Sequence, residues 1–227
     1  LKILQGFWLS NMTSSIFDKF HAIGIIPVLE IDSAARAVPL AEALATGGLP
    51  IAEVTLRTDT ALQSIRSIAR DVPNVIVGAG TVINQDQAQA ARDAGAQFLV
   101  SPGMAEDVVI WATDNQIPIL AGAVTPTEIM RGLNLGLTLL KFFPSETLGG
   151  LKAIKAISDP FPQVRFIPTG GIRLENVAEY LQMEKIHAVG GSWMAKRAMI
   201  AEGKFDEIQR MAGEASEIVK RVRGIIF

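Results

Sequence analysis

"LPIAEVTLRTDTALQSIRSIARDVPNVIVGAGT", residues 49–81, is the stretch whose reading decides the fold. Two short runs rich in β-branched residues, 49–57 and 74–81, flank a stretch with helical patterning from Ala61 to Arg70. A strand, a helix and a second strand in that order form a unit whose strands run parallel, because the helix carries the chain back along the sheet.

The same unit recurs on both sides. Further strand candidates lie at 23–31, 97–103, 117–124, 137–145, 163–171 and 186–192. Helical segments separate most of them, including Ser33 to Thr46 and Gln85 to Ala94, and Gly47, Gly48 and Gly95 fall where helix C-caps would lie. Eight β-then-α units in 227 residues predict an α/β fold, a closed (β/α)8 TIM barrel, with an open doubly wound sheet as the alternative that pattern alone allows. An extra helix near 13–22 is expected to cover the N-terminal end of the barrel. A last helix over 204–222 places Ile208, Met211, Ala215, Ile218 and Val222 on one stripe. Residues 146–160 read as a loop plus a short helix. Residues 1–11 precede Met12 and read as an upstream segment or added sequence, which leaves 12–227 as a single domain.

Hydrophobic residues make up 49% of the chain and charged ones 19%, with a net charge of −2, the profile of an ordinary soluble protein with no electrostatic case for nucleic acid. The absence of cysteine excludes disulfides, thiolate catalysis and cysteine-held zinc, and it suits a reducing cytoplasm. Charged residues, glycine or proline interrupt every apolar run before membrane-spanning length, so no membrane partner is expected. His21 and His187 are distant in the chain and lack metal-binding spacing, so no metal is expected.

Active sites on barrels lie at the C-terminal ends of the strands. In "IAEVTLR", alternation puts Ala52, Val54 and Leu56 on one face and Glu53, Thr55 and Arg57 on the other. A buried carboxylate and guanidinium are costly unless paired or used, so Glu53 and Arg57 are either functional or a structural salt bridge. In "LTLLKFFPS", Leu139, Lys141 and Phe143 face inward while Leu140 and Phe142 face out. Desolvation disfavours the ammonium form of Lys141 and brings the nucleophilic amine within reach, which suits Schiff-base formation with a carbonyl substrate. The structural alternative is a lysine that snorkels to the rim or pairs with Glu53.

"PTGGI" at 168–172 and "GGSW" at 190–193 end the seventh and eighth strand candidates, where Gly170, Gly171, Gly190, Gly191 and Ser192 could cradle a phosphate or simply form tight turns. "GAGT" at 78–81 lacks the third glycine of a dinucleotide fingerprint; its glycines are expected to let the chain bend beside a ligand, with Thr81 offering a hydroxyl. Thr125 and Glu128 have capping-box spacing, while Trp111 and Tyr180 fall in helical segments and read as packing residues.

With "EVTLRT", "GAGTV", "SPG", "KFFPSE", "PTGGI" and "GGSW" in order, the chain from about residue 24 to 222 closely resembles the KDPG/KHG aldolase family, class I aldolases of 2-keto-3-deoxy-6-phosphogluconate and 4-hydroxy-2-oxoglutarate. The resemblance implies a homotrimer of (β/α)8 barrels that needs no cofactor. It makes Lys141 the Schiff-base lysine and Glu53 the general acid/base, with Arg57 and Thr81 on the pyruvyl carboxylate. Thr169 would steer aldehyde stereochemistry, and Gly170, Gly171, Gly191 and Ser192 would bind the distal phosphate. Many members carry arginine at the end of the first strand where this chain has Glu30, which would repel an incoming anion if it faced inward. An aldolase of the galactonate epimer, a metal-dependent aldolase and a non-catalytic phosphate-binding barrel are the other readings.

Overall fold

The computed structural model describes residues 16–224. The expectations for residues 1–11, for Met12 and for a helix beginning near residue 13 lie outside the described residues. A helix over 16–23, α1, precedes eight short strands. These are β1 (Ile25–Leu29), β2 (Ile51–Thr55), β3 (Ile76–Gly80), β4 (Leu99–Val100), β5 (Ile119–Leu120), β6 (Leu139–Phe142), β7 (Arg165–Pro168) and β8 (Val189–Gly191). Each strand candidate contains one of them.

The opening stretch folds as its pattern requires: β2 and β3 pair in parallel from Ile51 against Ile76 to Thr55 against Gly80, with α3 (Ala61–Asp71) between them. Six strands form one parallel sheet in the order β5-β4-β3-β2-β1-β8, and β6 pairs in parallel with β7. Parallel bridges at Gly122 and Lys141, Phe166 and Ile186, and Thr169 and Gly190 flank the β6–β7 pair.

Alternation along each strand divides the core in two. Ile26, Ile51, Phe98, Val100, Leu120, Leu139, Ile167 and Ala188 meet on one side of the strands, and Phe20 of α1 joins them with its ring edge-on to Phe98, centroids 4.9 Å apart. Ile26, Ile51 and Leu139 lie at the starts of their strands, so Phe20 caps the end opposite to the strand C-termini. On the other side Leu29, Ala52, Val54, Val77, Leu140, Phe142 and Phe166 pack against the helices. The helices after the remaining strands include α2 (Ala37–Thr46), α4 (Gln85–Asp93), α5 (Glu106–Asp114) and α6 (Pro126–Asn134). Residues 146–160 form a short 3-10 turn, Glu146–Leu148, followed by α7 (Gly150–Ser158), and α8 (Val177–Gln182) and α9 (Arg197–Glu202) follow.

The predicted capping box of α6 is present: Thr125 Oγ1 accepts from Glu128 N–H, and the Glu128 carboxylate accepts from the N–H groups of Val124 and Thr125. The last helix, α10 (Phe205–Arg223), differs in its buried face. Ile208, Ala212, Ala215, Ser216 and Val219 are buried, whereas Met211, Ile218 and Val222 flank them half-exposed. The cause is close approach to the end of α2: a Cβ on Gly47 would stand 2.6 Å from the Ala212 Cβ, so small residues take the contact line and larger ones its margins.

Candidate active site

Lys141 is the third residue of β6 and Glu53 the third of β2, and both are buried. Their side chains meet 88 residues apart in the chain, Nζ donating to Glu53 Oε1 at 3.1 Å, with 7% and 3% of the two side chains exposed. Burial without a partner would make either charge prohibitive, and the two groups meet as a pair. The Lys141 backbone is pinned on the β5 side, its N–H donating to Ala121 O and its carbonyl accepting from Ala123 N–H, both at 2.9 Å. This fixes the root of a long, flexible side chain. Phe143 lies past the end of β6 and is exposed, its ring centroid 5.6 Å from Nζ, which adds a cation–π contact.

Glu53 owes its place to a glycine. It faces Gly78 in register, and a Cβ on Gly80 would lie 2.4 Å from Glu53 Oε1. A Cβ on Gly78 would lie 2.5 Å from the Phe98 ring. The glycines of "GAGT" thus make room for the carboxylate and for a core aromatic. Thr81, the residue after them, is held at φ +61°, a conformation that strains a β-branched residue and is retained where the surroundings or a function require it.

Arg57 departs from expectation. β2 ends at Thr55, so its alternation no longer governs residue 57, and Arg57 reaches the rim with 57% of its side chain exposed. There it donates to Glu30 Oε1 at 2.8 Å, while Arg197 Nη1 lies 3.5 Å from Glu30 Oε2. Arg197 also binds Asp32 through two bonds of 2.7 Å, and that hydrogen bonding holds the Asp32 carboxyl below its usual range. Glu30 and Asp32 are therefore matched by two arginines at the rim. Glu53 and Arg57 form no salt bridge with each other; each has another partner.

At the ends of β7 and β8, Thr169 is buried and bridges to Gly190, where a Cβ would lie 2.3 Å from Thr169 Oγ1. Gly170 and Gly171 have φ of +97° and +80°, a region open to glycine at little cost. Gly191 ends β8 beneath the Trp193 ring, which a Cβ would strike at 1.9 Å, and Ser192 beside it is exposed. The structure thus brings Lys141 to Glu53 and Thr169 to the β8 glycines, and it leaves Arg57 on Glu30.

The family model for KDPG and KHG aldolase matches residues 16–211. The chain belongs to that family. It is 45% identical over 196 residues to the KHG/KDPG aldolase of Escherichia coli (strain K12), across 86% of this chain and 92% of that protein. A crystal structure of KDPG aldolase from Legionella pneumophila, with pyruvate captured at low pH as a covalent carbinolamine intermediate, superposes with a TM-score of 0.83 at 40% identity, covering 86% of this chain and 94% of that one. The 2-keto-3-deoxy-6-phosphogluconate aldolase of Zymomonas mobilis ZM4 with 3-phosphoglycerate gives a TM-score of 0.81 at 43% identity, over 88% and 94% of the two chains.

Sequence reasoning about this aldolase missed three sets of contacts. Asp32 and Arg197, the partners at the rim, carry no motif. Tyr180, read as packing, is buried but donates its hydroxyl hydrogen to Glu146 Oε1. His21 and His187, distant in the chain, meet with tilted rings whose centroids are 5.0 Å apart at the end opposite Lys141. The helical pattern around Tyr180 signals its ring and not its hydroxyl, and nothing local announces a contact between residues 21 and 187.

Proposed function

We propose that this enzyme is a class I aldolase that cleaves 2-keto-3-deoxy-6-phosphogluconate to pyruvate and glyceraldehyde 3-phosphate through an imine on Lys141. The buried Lys141–Glu53 pair carries the reading, because it holds an amine and a proton acceptor at 3.1 Å in a dry site. The carbinolamine trapped in the Legionella relative and the phosphorylated ligand of the Zymomonas one support the covalent route and the class of substrate. The name of the Escherichia coli relative supports 4-hydroxy-2-oxoglutarate, cleaved to pyruvate and glyoxylate, as a second substrate.

The Lys141 ammonium first gives up a proton, for which Glu53 is the acceptor within reach. The free amine attacks the C2 ketone; Glu53 returns a proton to the carbinolamine oxygen, and water leaves to form the iminium. Glu53, directly or through a water, then takes the C4 hydroxyl proton. The C3–C4 bond breaks, its electron pair flows into the iminium, and the aldehyde departs. Protonation of the enamine at C3 and hydrolysis release pyruvate and restore the lysine. One carboxylate serves throughout because each proton it accepts is later returned.

In this reading Arg57 leaves Glu30 to meet the pyruvyl carboxylate, with Thr81 as its companion. Thr169 lines the aldehyde side, and the amides of Gly170, Gly171 and Gly191 with the Ser192 hydroxyl receive the phosphate. The bridges on either side of β6–β7 support closure of all eight strands into a single (β/α)8 barrel domain, with the 16–23 helix as its N-terminal cover. Family likeness supports a homotrimer working in the cytoplasm. Pyruvate release measured with the phosphogluconate-derived acid, its galactonate epimer and 4-hydroxy-2-oxoglutarate tests the assignment. The first is expected to give the highest kcat/KM; preference for the epimer, or no turnover of any, would overturn it.

A further inference from the structure

The chain beyond Lys141 runs directly into the loop after β7. Ser145 N–H donates to Thr169 O at 2.8 Å and Glu146 N–H to Gly170 O at 3.1 Å. A Cβ on Gly171 would fall 2.5 Å from both Cβ and Cγ of Glu146, so that side chain lies flat against the glycine. The Glu146 carboxylate in turn accepts the Tyr180 hydroxyl hydrogen, and Ser145 Oγ lies 3.0 Å from the Tyr180 oxygen. Since Tyr180 gives its hydrogen to Glu146, Ser145 must donate to Tyr180, which sets one direction for the chain of bonds. Burial, reinforced by the bond to Glu146, pushes the phenol up to about 12, so Tyr180 remains a donor across the neutral range. From the far side of the loop, Asn176 Nδ2 donates to Gly171 O at 3.3 Å and its Oδ1 accepts from Arg173 N–H at 2.8 Å.

Two consecutive glycines give a loop with little conformational preference of its own. Amides that receive an anion act best when their direction is set before it arrives. Glu146 is exposed and would rotate freely without a partner, whereas Tyr180 is anchored by a ring wholly inside the core. We infer that Tyr180 and Glu146 are positioning residues that hold Gly170 and Gly171 in an anion-receiving geometry, and so set the preference for phosphorylated over unphosphorylated aldehydes. The inference rests on reading this loop as the phosphate cradle, and it adds the device that shapes it.

The test runs in the condensation direction, with pyruvate and either glyceraldehyde 3-phosphate or glyceraldehyde, alongside borohydride trapping of pyruvate alone. Tyr180→Phe is expected to raise KM for the phosphorylated aldehyde roughly tenfold, the scale of one charge-assisted hydrogen bond. KM for glyceraldehyde and the rate of pyruvate trapping should stay at wild-type values. Glu146→Ala, at an exposed position that endangers folding less, should reproduce the effect, and Glu146→Gln, which keeps an acceptor for the phenol, should largely restore selectivity. Equal changes for both aldehydes, or none for either, would overturn the inference while wild-type trapping leaves the imine reading intact. Failure of the wild type itself to trap pyruvate would instead remove the aldolase reading, and this inference with it.

Discussion

Two carboxylates meet two cations, one pair just past the ends of β1 and β2 and the other within β2 and β6, and the closer contact is the less consequential. Glu30 and Arg57 stand 2.8 Å apart at the rim with 26% and 57% of their side chains exposed, while Glu53 and Lys141 stand 3.1 Å apart with 3% and 7% exposed. Water screens the first pair and largely offsets its attraction with the loss of hydration and side-chain freedom. Burial shields the second from bulk solvent, so either group alone would be uncompensated and a proton can pass between the two directly. Burial, more than distance, separates a surface clasp from a reactive pair.

Removing the buried cation should give the largest effect. Lys141→Ala should abolish pyruvate release and also destabilise the fold by ~3–5 kcal/mol in urea titration, because Glu53 is left buried without its partner. A stability unchanged from wild type would mean that water already reaches Glu53. Next comes Glu53→Gln, expected to lower kcat by roughly 10²–10⁴-fold, the usual contribution of a general acid/base, while borohydride still captures some pyruvate. Complete loss of capture would make Glu53 essential for imine formation itself.

At the rim, Glu30→Gln should shift unfolding by less than ~1 kcal/mol, and the difference should shrink in 1 M salt as screening weakens the Arg57 contact. A salt-independent loss as large as that of Lys141→Ala would erase the contrast between the two pairs.

The smallest effect belongs to the histidine pair at the opposite end. His187 is pushed below its ordinary 6.5, chiefly by burial, despite the bond from its ring Nε2–H to Phe17 O at 2.7 Å. The unfolded chain therefore binds a proton more readily than the folded one. His187 imposes no loss above about pH 6.5, and stability should decline as pH falls below that value. Tm followed from pH 8 to pH 5.5 should show a shallower decline in His187→Gln than in wild type; parallel curves would place the sensitivity elsewhere.

How much of this was legible in the sequence follows the same division between inside and outside. Strand alternation is a local rule imposed by a buried surface, and it located the eight strands and put Glu53 and Lys141 on the inner face. It stopped working where β2 stopped, which is why Arg57 was assigned inward and found at the rim. Capping is equally local, and Thr125 with Glu128 behaved as its spacing implied. Contacts set by tertiary approach left no such trace. The face of α10 is chosen by Gly47 across the gap, the room for the Glu53 carboxylate by Gly80 on the next strand, and the partner of the Tyr180 hydroxyl by a turn 34 residues earlier.

The central claim is that Lys141 forms an imine with pyruvate, and borohydride reduction of the wild-type enzyme with pyruvate, followed by peptide mass mapping, addresses it most directly. A reduced pyruvyl adduct on Lys141, and its absence from Lys141→Ala, is the predicted result. Bound pyruvate with no adduct, or an adduct on another lysine, would contradict it.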